Sequence, residues 1–431
     1  MNLVNPPSVA GTTANREGAA GLGVVYPHRD AFLYPPHGLA TAAASLRDAG
    51  YHVHAFDGVV EELTPNLAEA DAIGVFVAFA TLDADLDFIG ALREQSTAKL
   101  IAFGPAMRFV AQQVLNRAPL DAVLTGEAEG FFPEALQYLD AQAVSSAASV
   151  LIPSTVGAPG FDGEGFVDQL DRLPFPAWDM LPHERYRLLT VLSSRGCPDE
   201  CTYCPYAAAQ GHRFRARSIA NVLAELAWLN ERFHPARLVF RDPVFAHDRE
   251  RVVELCTGML SCGLALRWEC ESRPEHFDVG LLQLMQRAGC QWVKLGLETT
   301  DAGLLMRLRR IGSLEQAESY LQHVSKIVRT CAEIGLRCRL FVMAGLPGQD
   351  VAMAQRTRQF VEQLRPAALN VKVCERYPGL GLETVDEGDS EAQMEVLRQA
   401  QMTVQARQPS LPLLIRGRRW LQRMWHGGRD G

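Results

Sequence analysis

Cys197, Cys201 and Cys204 lie close together near the middle of the chain. They are spaced CxxxCxxC, between a strand-like run and a helix-prone run. Cysteine thiolates are the usual ligands of iron–sulfur clusters, and such short spacers let one loop wrap a [4Fe-4S] cube. Three ligands leave the fourth iron open to bind a small molecule. The alternatives are three reduced thiols in a loop or half of a zinc site, although the other cysteines form no second CxxC pair.

The triplet resembles the signature of the radical S-adenosylmethionine (SAM) superfamily, CxxxCxΦC, in which an aromatic residue precedes the third cysteine. Tyr203 fills that aromatic position. The resemblance implies that the three cysteines ligate a [4Fe-4S] cluster and that its open iron binds SAM. It also implies that the reduced cluster cleaves SAM to methionine and a 5'-deoxyadenosyl radical. The chain is then expected to be an enzyme that takes electrons from an external donor of the flavodoxin or ferredoxin type.

The composition is that of a globular protein, and the length fits two domains or one large α/β barrel with a smaller partner, of which we expect two domains. The chain has 431 residues, of which 48% are hydrophobic and 21% charged. No apolar run reaches the roughly 18 to 20 residues that a membrane span needs, and the N-terminus lacks the regions of a signal peptide. We therefore expect a cytoplasmic protein, whose ten cysteines stay reduced. The net charge of -8 argues against a nucleic-acid partner.

The last 20 residues differ from this acidic background. Five arginines stand there with Trp420 and Trp425: Arg416, Arg418, Arg419, Arg423 and Arg429. A basic amphipathic helix can lie on an anionic membrane surface. We expect instead a solvated tail helix that docks through its tryptophans.

Strand-like and helix-like segments alternate between about residues 21 and 140. The strand-like runs are Gly23–Tyr26, Tyr51–Asp57, Ala72–Phe79, Lys99–Gly104 and Asp121–Gly126. Short β-branched runs between amphipathic helices predict a parallel sheet covered on both faces, here a flavodoxin-like (Rossmann-type) domain. Ligands of such sheets bind at the carboxyl ends of the strands, which indicates the loops after these runs.

This segment resembles the cobalamin-binding domain that precedes the barrel of many radical SAM enzymes. The resemblance rests on a first loop rich in proline and glycine and on the sequence Gly126-Glu127-Ala-Glu129. It implies that cobalamin is a cofactor. The cobalt-ligating motif Asp-x-His-x-x-Gly is absent, so the lower ligand stays unassigned, although His28 and His37 lie in the first loop. The alternative is a scaffold domain that only caps the barrel.

A second set of repeats follows a linker rich in proline and glycine. We divide the chain into an N-terminal extension (1–20), the cobalamin-binding-like domain (21–140), the linker (141–187), a barrel (188–385) and a helical tail (386–431). Six strand-like runs, each followed by a helical pattern, predict a partial (β/α)6 barrel with its active site at the carboxyl ends of the strands. The runs are 188–193, 238–242, 266–271, 292–296, 337–344 and 368–373.

Polar or glycine-containing segments follow successive barrel strands. The superfamily resemblance implies cofactor-binding roles for Tyr203, Asp242, Arg273, Glu298, Gly345 and Pro347. Asp242 would contact the SAM end of the site, and the Arg273 fork would meet the SAM carboxylate. Glu298 would accept a bond from an amine or a ribose hydroxyl. The Gly345-Leu-Pro-Gly turn would pack near adenine, and Gln349 stands where the family usually has Glu.

The two resemblances together imply a cobalamin-dependent radical SAM methyltransferase that acts on an unactivated carbon. The expected substrate is a small molecule, a lipid-like compound or a pigment. One alternative is a cobalamin-free radical SAM enzyme that closes rings, rearranges or oxidises its substrate. An alternative of another class is an iron–sulfur binding or sensor protein without turnover.

Overall fold

The computed structural model describes residues 1–27, 33–141, 150–151, 165–377, 380, 382 and 390–407. Its N-terminal half alternates strands and helices. In chain order these are β1 (Asn2–Asn5), β2 (Thr12–Asn15), α1 (Gly18–Gly21), β3 (Val24–Pro27), α2 (His37–Asp48), β4 (His54–Asp57), β5 (Ala72–Phe76), α3 (Leu82–Gln95), β6 (Lys99–Phe103), α4 (Met107–Arg117), β7 (Ala122–Leu124), α5 (Ala128–Ala141) and β8 (Val150–Leu151).

The C-terminal half repeats strand and helix more regularly. Its elements are β9 (Leu189–Val191), β10 (Ser194–Arg195), α6 (Pro205–Gln210), β11 (Arg215–Ala216), α7 (Ile219–Phe233), β12 (Leu238–Phe240), α8 (Arg249–Ser261), β13 (Trp268–Ser272), α9 (Val279–Arg287), β14 (Cys290–Glu298), α10 (Ala302–Arg307), α11 (Gln316–Glu333), β15 (Arg337–Ala344), α12 (Val351–Leu364), β16 (Ala368–Val373) and α13 (Ser390–Ala406).

The first sheet has the strand order β4-β1-β5-β6-β7-β8. Its first five strands are parallel, and β8 runs antiparallel to β7. Counted along the chain, the parallel strands follow the order 2-1-3-4-5 of flavodoxin-like folds. Alternate side chains enter two cores: Leu3 and Phe103 pack with residues of α2 and α5, while Val4 and Val75 pack with residues of α3 and α4. The predicted flavodoxin-like fold is confirmed.

The predicted start of this sheet was wrong. Residues 1–20 are no extension, because β1 lies between β4 and β5 in the sheet. The segment predicted as the first strand, Gly23–Tyr26, overlaps β3, which instead pairs antiparallel with β2. Leu3 and Val4 are the only apolar residues of β1, and a run of two between asparagines does not indicate a strand. Its position between two strands is what buries both side chains completely.

The second sheet follows the chain in the order β9-β12-β13-β14-β15-β16, and every pair is parallel. The predicted partial (β/α)6 barrel is confirmed. Leu295 and Leu340 share the face that packs against helices. Register places Glu271, Lys294 and Arg339 side by side on the opposite, concave face. The inner face of the barrel therefore carries charge.

The described end of the linker, residues 165–187, contributes to a core that both halves share. Trp178 is fully buried, and its ring meets the His37 ring edge-on at 5.7 Å between centroids. His37 Nδ1 also lies 3.0 Å from Thr190 Oγ1 in β9. The two halves are thus in direct contact. Other predicted domain boundaries remain predictions, and the basic tail at 408–431 lies outside the described residues.

Within the described ranges, none of the helices combines the length and the apolar character that crossing a membrane requires.

Candidate active site

A short hairpin frames the cysteine triplet. Its strands are β10 and β11, and residues 196–214 between them are here termed the cluster loop. Gly196 starts the loop with a φ of 76°. A Cβ at this position would lie 2.1 Å from the carbonyl oxygen of Arg213, so only glycine fits. The Cys197 amide donates to the carbonyl of Gly211 at 3.0 Å, which closes the base of the loop.

The three cysteines of this loop differ in their exposure to solvent. Cys197 is buried, whereas Cys201 and Cys204 are partly exposed. Burial raises the pKa of Cys197 to about 12 and also raises the pKa of Cys204. Because the thiolate is the ligand form, metal binding would release these protons.

The spacing of the sulfur atoms bears on the kind of metal group they suit. Over the described ranges, no three His, Cys, Asp or Glu side chains are grouped to hold a single metal ion. A cube takes each ligand at a separate corner, so its ligands need not meet at one point. Three thiols on one loop suit a [4Fe-4S] cluster by their chemistry. Their ligand role remains a prediction.

Two arginines stand beside Cys201. Its sulfur lies 3.9 Å from Arg273 Nη1 and 4.0 Å from Arg310 Nη1. Arg273 also pairs with Asp199 at 2.9 Å and with Glu275 at 2.6 Å. The structure brings Arg273 to the cluster loop. Sequence reasoning missed Arg310, which lies between α10 and α11 without any motif around it.

Tyr203 connects the cluster loop to the ends of two barrel strands. Its hydroxyl donates to Glu298 Oε1 at 3.0 Å, at the end of β14. Burial raises the pKa of Glu298 to about 7. The Tyr203 ring packs in a small apolar cluster with Leu346, which belongs to the Gly345-Leu-Pro-Gly turn. Tyr203, Glu298 and this turn therefore converge beside the cysteines.

The turn after β15 is held from behind by α13. Gly345 has a φ of 74°, and its amide donates to Gln393 Oε1 at 2.8 Å. Pro347 is partly buried in the turn. Gln349, in place of the family's Glu, is buried and donates to the carbonyl of Met343 at 3.1 Å. Gln349 thus closes the turn through its own amide.

Asp242 has a different environment from the one expected of it. Its carboxylate is buried and accepts the Ser193 amide at 2.8 Å, the Ser193 hydroxyl at 2.5 Å and the Ser194 hydroxyl at 2.6 Å. Asp242 therefore holds the connection from β9 to the hairpin. A contact of Asp242 with SAM remains a prediction, and the structure does not place its carboxylate in contact with the cysteines.

A cavity lies between the two halves of the molecule, here termed the interdomain cavity. The N-terminal half contributes the carboxyl ends of β5, β6 and β7 and the first turn of α2. The C-terminal half contributes the end of α6, which lies in the cluster loop, and residues that follow β9 and β12. The wall residues include Glu17, Gly21, His37, Gly38, Phe76, Phe103, Gly104, Pro105, Arg108, Thr125, Gly126, Glu127, Glu129, Leu192, Arg195, Gln210 and Arg241. The carboxyl end of a flavodoxin-like sheet is where a ligand is expected.

Two unpaired polar atoms of the cavity wall suit a ligand that carries polar groups. Thr125 Oγ1 and Gln210 Oε1 are buried without a hydrogen-bond partner anywhere in the described part of the chain. Buried polar atoms are normally paired, so such orphans point to an absent partner. Gly104 adopts a φ of 125°, and a Cβ there would come within 2.8 Å of the carbonyl oxygen of Val77.

Of the two histidines predicted to lie in the first loop, the structure describes His37 only. His37 starts α2, is buried and lines the cavity. Burial lowers its pKa to about 3, so its imidazole is neutral. His28 lies outside the described residues.

Residues 191–361 match the family model of the radical SAM superfamily. A methyltransferase of Pyrococcus horikoshii, itself described as uncharacterized, is 24% identical over 81% of this chain and 77% of its own length. The hopanoid C-3 methylase of Methylococcus capsulatus is 26% identical over 80% of this chain and 67% of its own. The fold is similar to that of the radical SAM methyltransferase TsrM from Kitasatospora setae, whose structure was solved with cobalamin and a [4Fe-4S] cluster bound. The TM-score is 0.69 at 18% sequence identity, and the match covers 89% of this chain and 74% of TsrM. Residues 191–361 are therefore a radical SAM domain.

Proposed function

We propose that this protein is a cobalamin-dependent radical SAM methyltransferase acting on carbon. The observation that carries the proposal is the adjacency of the cluster loop and the interdomain cavity. Gln210 belongs to the loop and also lines the cavity with an unpaired oxygen. A cluster site and a ligand site that share a wall are what an enzyme needs if two cofactors act on one substrate. The methyltransferases among its relatives and the TsrM fold support the same conclusion.

Residues of the cluster loop and the barrel would hold the first two cofactors. We assign the cluster to Cys197, Cys201 and Cys204, and the SAM carboxylate to Arg273. Glu298, whose carboxylate is fixed by the Tyr203 hydroxyl, would accept a hydrogen bond from SAM. The Gly345–Gly348 turn offers an apolar surface to adenine. When bound, cluster and SAM supply the reductive cleavage that makes a carbon radical, and cobalamin supplies a methyl carrier.

The interdomain cavity is our proposed cobalamin site. Phe76, Phe103 and Pro105 give it an apolar wall, and Thr125 with Gln210 gives two unsatisfied acceptors for the polar edge of a corrin. These side chains would bind and orient the ligand and keep water away from it.

Charges on the concave barrel face would orient the substrate. Lys294 pairs with Glu269 at 3.3 Å, and the Arg241 guanidinium lies 4.0 Å from the centroid of the Tyr34 ring. We propose a small-molecule, lipid or pigment substrate with polar groups that these residues can meet. The electron donor is proposed to be of the flavodoxin or ferredoxin type, and the place of action the cytoplasm, where thiols stay reduced.

The products formed from SAM test this function without knowledge of the substrate. The anaerobically reconstituted protein would be incubated with SAM and dithionite, with and without hydroxocobalamin, and 5'-deoxyadenosine and S-adenosylhomocysteine would be quantified. Methyl transfer to the corrinoid leaves S-adenosylhomocysteine, so that product should require cobalamin, whereas 5'-deoxyadenosine should require the cysteines. Formation of 5'-deoxyadenosine alone would support the cobalamin-free alternative. Absence of both products would support a binding protein. The matched control is the variant with all three cysteines replaced by alanine.

A further inference from the structure

The hairpin that frames the cluster loop carries two like charges directly opposite each other. Arg195 in β10 and Arg215 in β11 are cross-strand partners. Like charges at such positions destabilise an antiparallel pair. The side chain of Arg195 is 9% exposed and that of Arg215 is 4% exposed, so water does little to screen them. This hairpin therefore needs counter-charges from elsewhere.

The counter-charges come from the N-terminal domain. Glu127 accepts two bonds from Arg215, at 2.9 Å from Nη1 and 2.8 Å from Nη2. Arg195 Nη1 lies 3.2 Å from Glu127 and also contacts Glu129. Both carboxylates are about as buried as the arginines, at 10% and 9% exposure. We term Glu127, Glu129, Arg195 and Arg215 the interdomain clamp.

The clamp is joined directly to the first cysteine. Arg195 precedes Gly196, whose backbone admits no side chain, and Cys197 follows. At the other end of the loop, Arg215 donates to the carbonyl of Gln210 at 2.7 Å. A movement of the clamp therefore shifts both ends of the cluster loop.

The clamp also lies against the interdomain cavity. Glu127, Glu129 and Arg195 belong to the cavity wall. The amide of Val167 donates to Glu127 Oε2 at 2.7 Å, which fixes the carboxylate from the linker side.

We propose that Glu127 and Glu129 are positioning residues for the cluster loop. By neutralising the opposed arginines, the N-terminal domain holds the loop in the shape that retains the cluster, even without cobalamin. The domain is thus more than a cofactor carrier. This inference rests on the proposed function only in that the loop binds a cluster.

The test is cluster retention in the full chain without cobalamin. Wild type, Glu127→Gln and the milder Glu129→Gln would be reconstituted anaerobically with iron and sulfide and then challenged with an iron chelator. We expect Glu127→Gln to lose iron about tenfold faster than wild type, because one neutralised carboxylate leaves a buried arginine unpaired. The rate of iron loss from Glu129→Gln should lie between the rates of wild type and Glu127→Gln. Glu129→Asp keeps the charge and should restore iron retention. We also expect the electron paramagnetic resonance spectrum of the reduced cluster, recorded with and without SAM, to differ from that of wild type most in Glu127→Gln and less in Glu129→Gln.

Asp85→Asn is the matched control. It breaks another buried ion pair of the same domain, Arg16 to Asp85 at 2.5 Å. We expect it to lower the unfolding temperature while iron loss stays at the wild-type rate. The proposal would be overturned if wild type and both glutamine variants lost iron at the same rate. It would also be overturned if Asp85→Asn lost iron as fast as Glu127→Gln. A wild-type protein that takes up no cluster would instead overturn the proposed function, and the proposal with it.

Discussion

Glu17 on the wall of the interdomain cavity should make stability depend on pH. Burial raises its pKa from 4.5 to about 7, although the Gly38 amide donates to it at 2.7 Å. An acid whose pKa is raised by folding binds its proton more tightly in the folded state. The stability associated with it is therefore present below pH 4.5 and is lost as the pH rises through about 7.

Glu17→Gln should remove this loss, since glutamine keeps the acceptor oxygen and carries no charge. The interval from 4.5 to about 7 corresponds to about 3 kcal/mol at 1.36 kcal/mol per pH unit. Glu17 is partly exposed to the cavity, so solvent reduces this value. We expect a gain of roughly 1 to 3 kcal/mol at pH 8 and less than about 1 kcal/mol near pH 5.

Urea denaturation of cobalamin-free protein at about pH 5 and pH 8 measures the difference. Asp83→Asn is the control, because the Asp83 side chain is 83% exposed and its ion pair with Arg117 lies on the surface. That variant should show little difference at either pH. An equal change for Glu17→Gln at both pH values, or no gain at pH 8, would refute the assignment of a carboxyl that retains its proton in the folded state.

Three further predictions concern the cluster loop and the first sheet. Replacing all three cysteines of the loop by alanine should abolish visible iron–sulfur absorption and SAM cleavage while thermal unfolding stays cooperative; surviving turnover would contradict the site. Gly196→Ala should cost about 1 to 3 kcal/mol in urea denaturation and lower the iron retained, because its Cβ would meet the Arg213 carbonyl at 2.1 Å. Gly74→Ala should cost about 1 to 3 kcal/mol and leave iron content unchanged, because its Cβ would approach Leu3 at 2.6 Å and Phe132 at 2.8 Å, far from the loop.

Long buried strands were predictable from the sequence, whereas a short central strand was not. The predicted runs 337–344 and 368–373 coincide with β15 and β16, because their apolar residues continue long enough to indicate a strand. The two apolar residues of β1, Leu3 and Val4, form too short a run to indicate a strand. Their burial depends on β4 and β5, which lie more than 45 residues away in the sequence.

The candidate site was predictable where one loop carries the chemistry. The cysteine spacing and Tyr203 are local features, and the structure places Arg273, Glu298 and Leu346 of the Gly345-Leu-Pro-Gly turn beside the same loop. Arg310 was not predictable, because its contact with Cys201 joins residues that are 109 positions apart. The pairing of Glu127 with Arg215 likewise spans 88 positions. Spacing and periodicity report local geometry only, so such contacts need the folded chain.

The central claim is that one chain binds both a [4Fe-4S] cluster and cobalamin. It is tested most directly by the absorption spectrum of the anaerobically reconstituted protein after incubation with hydroxocobalamin and desalting. We predict corrin bands retained beside the broad visible absorption of a thiolate-ligated cluster, with the cluster absorption lost from the triple cysteine-to-alanine variant. A cluster spectrum without corrin, measured on wild-type protein, would contradict the account.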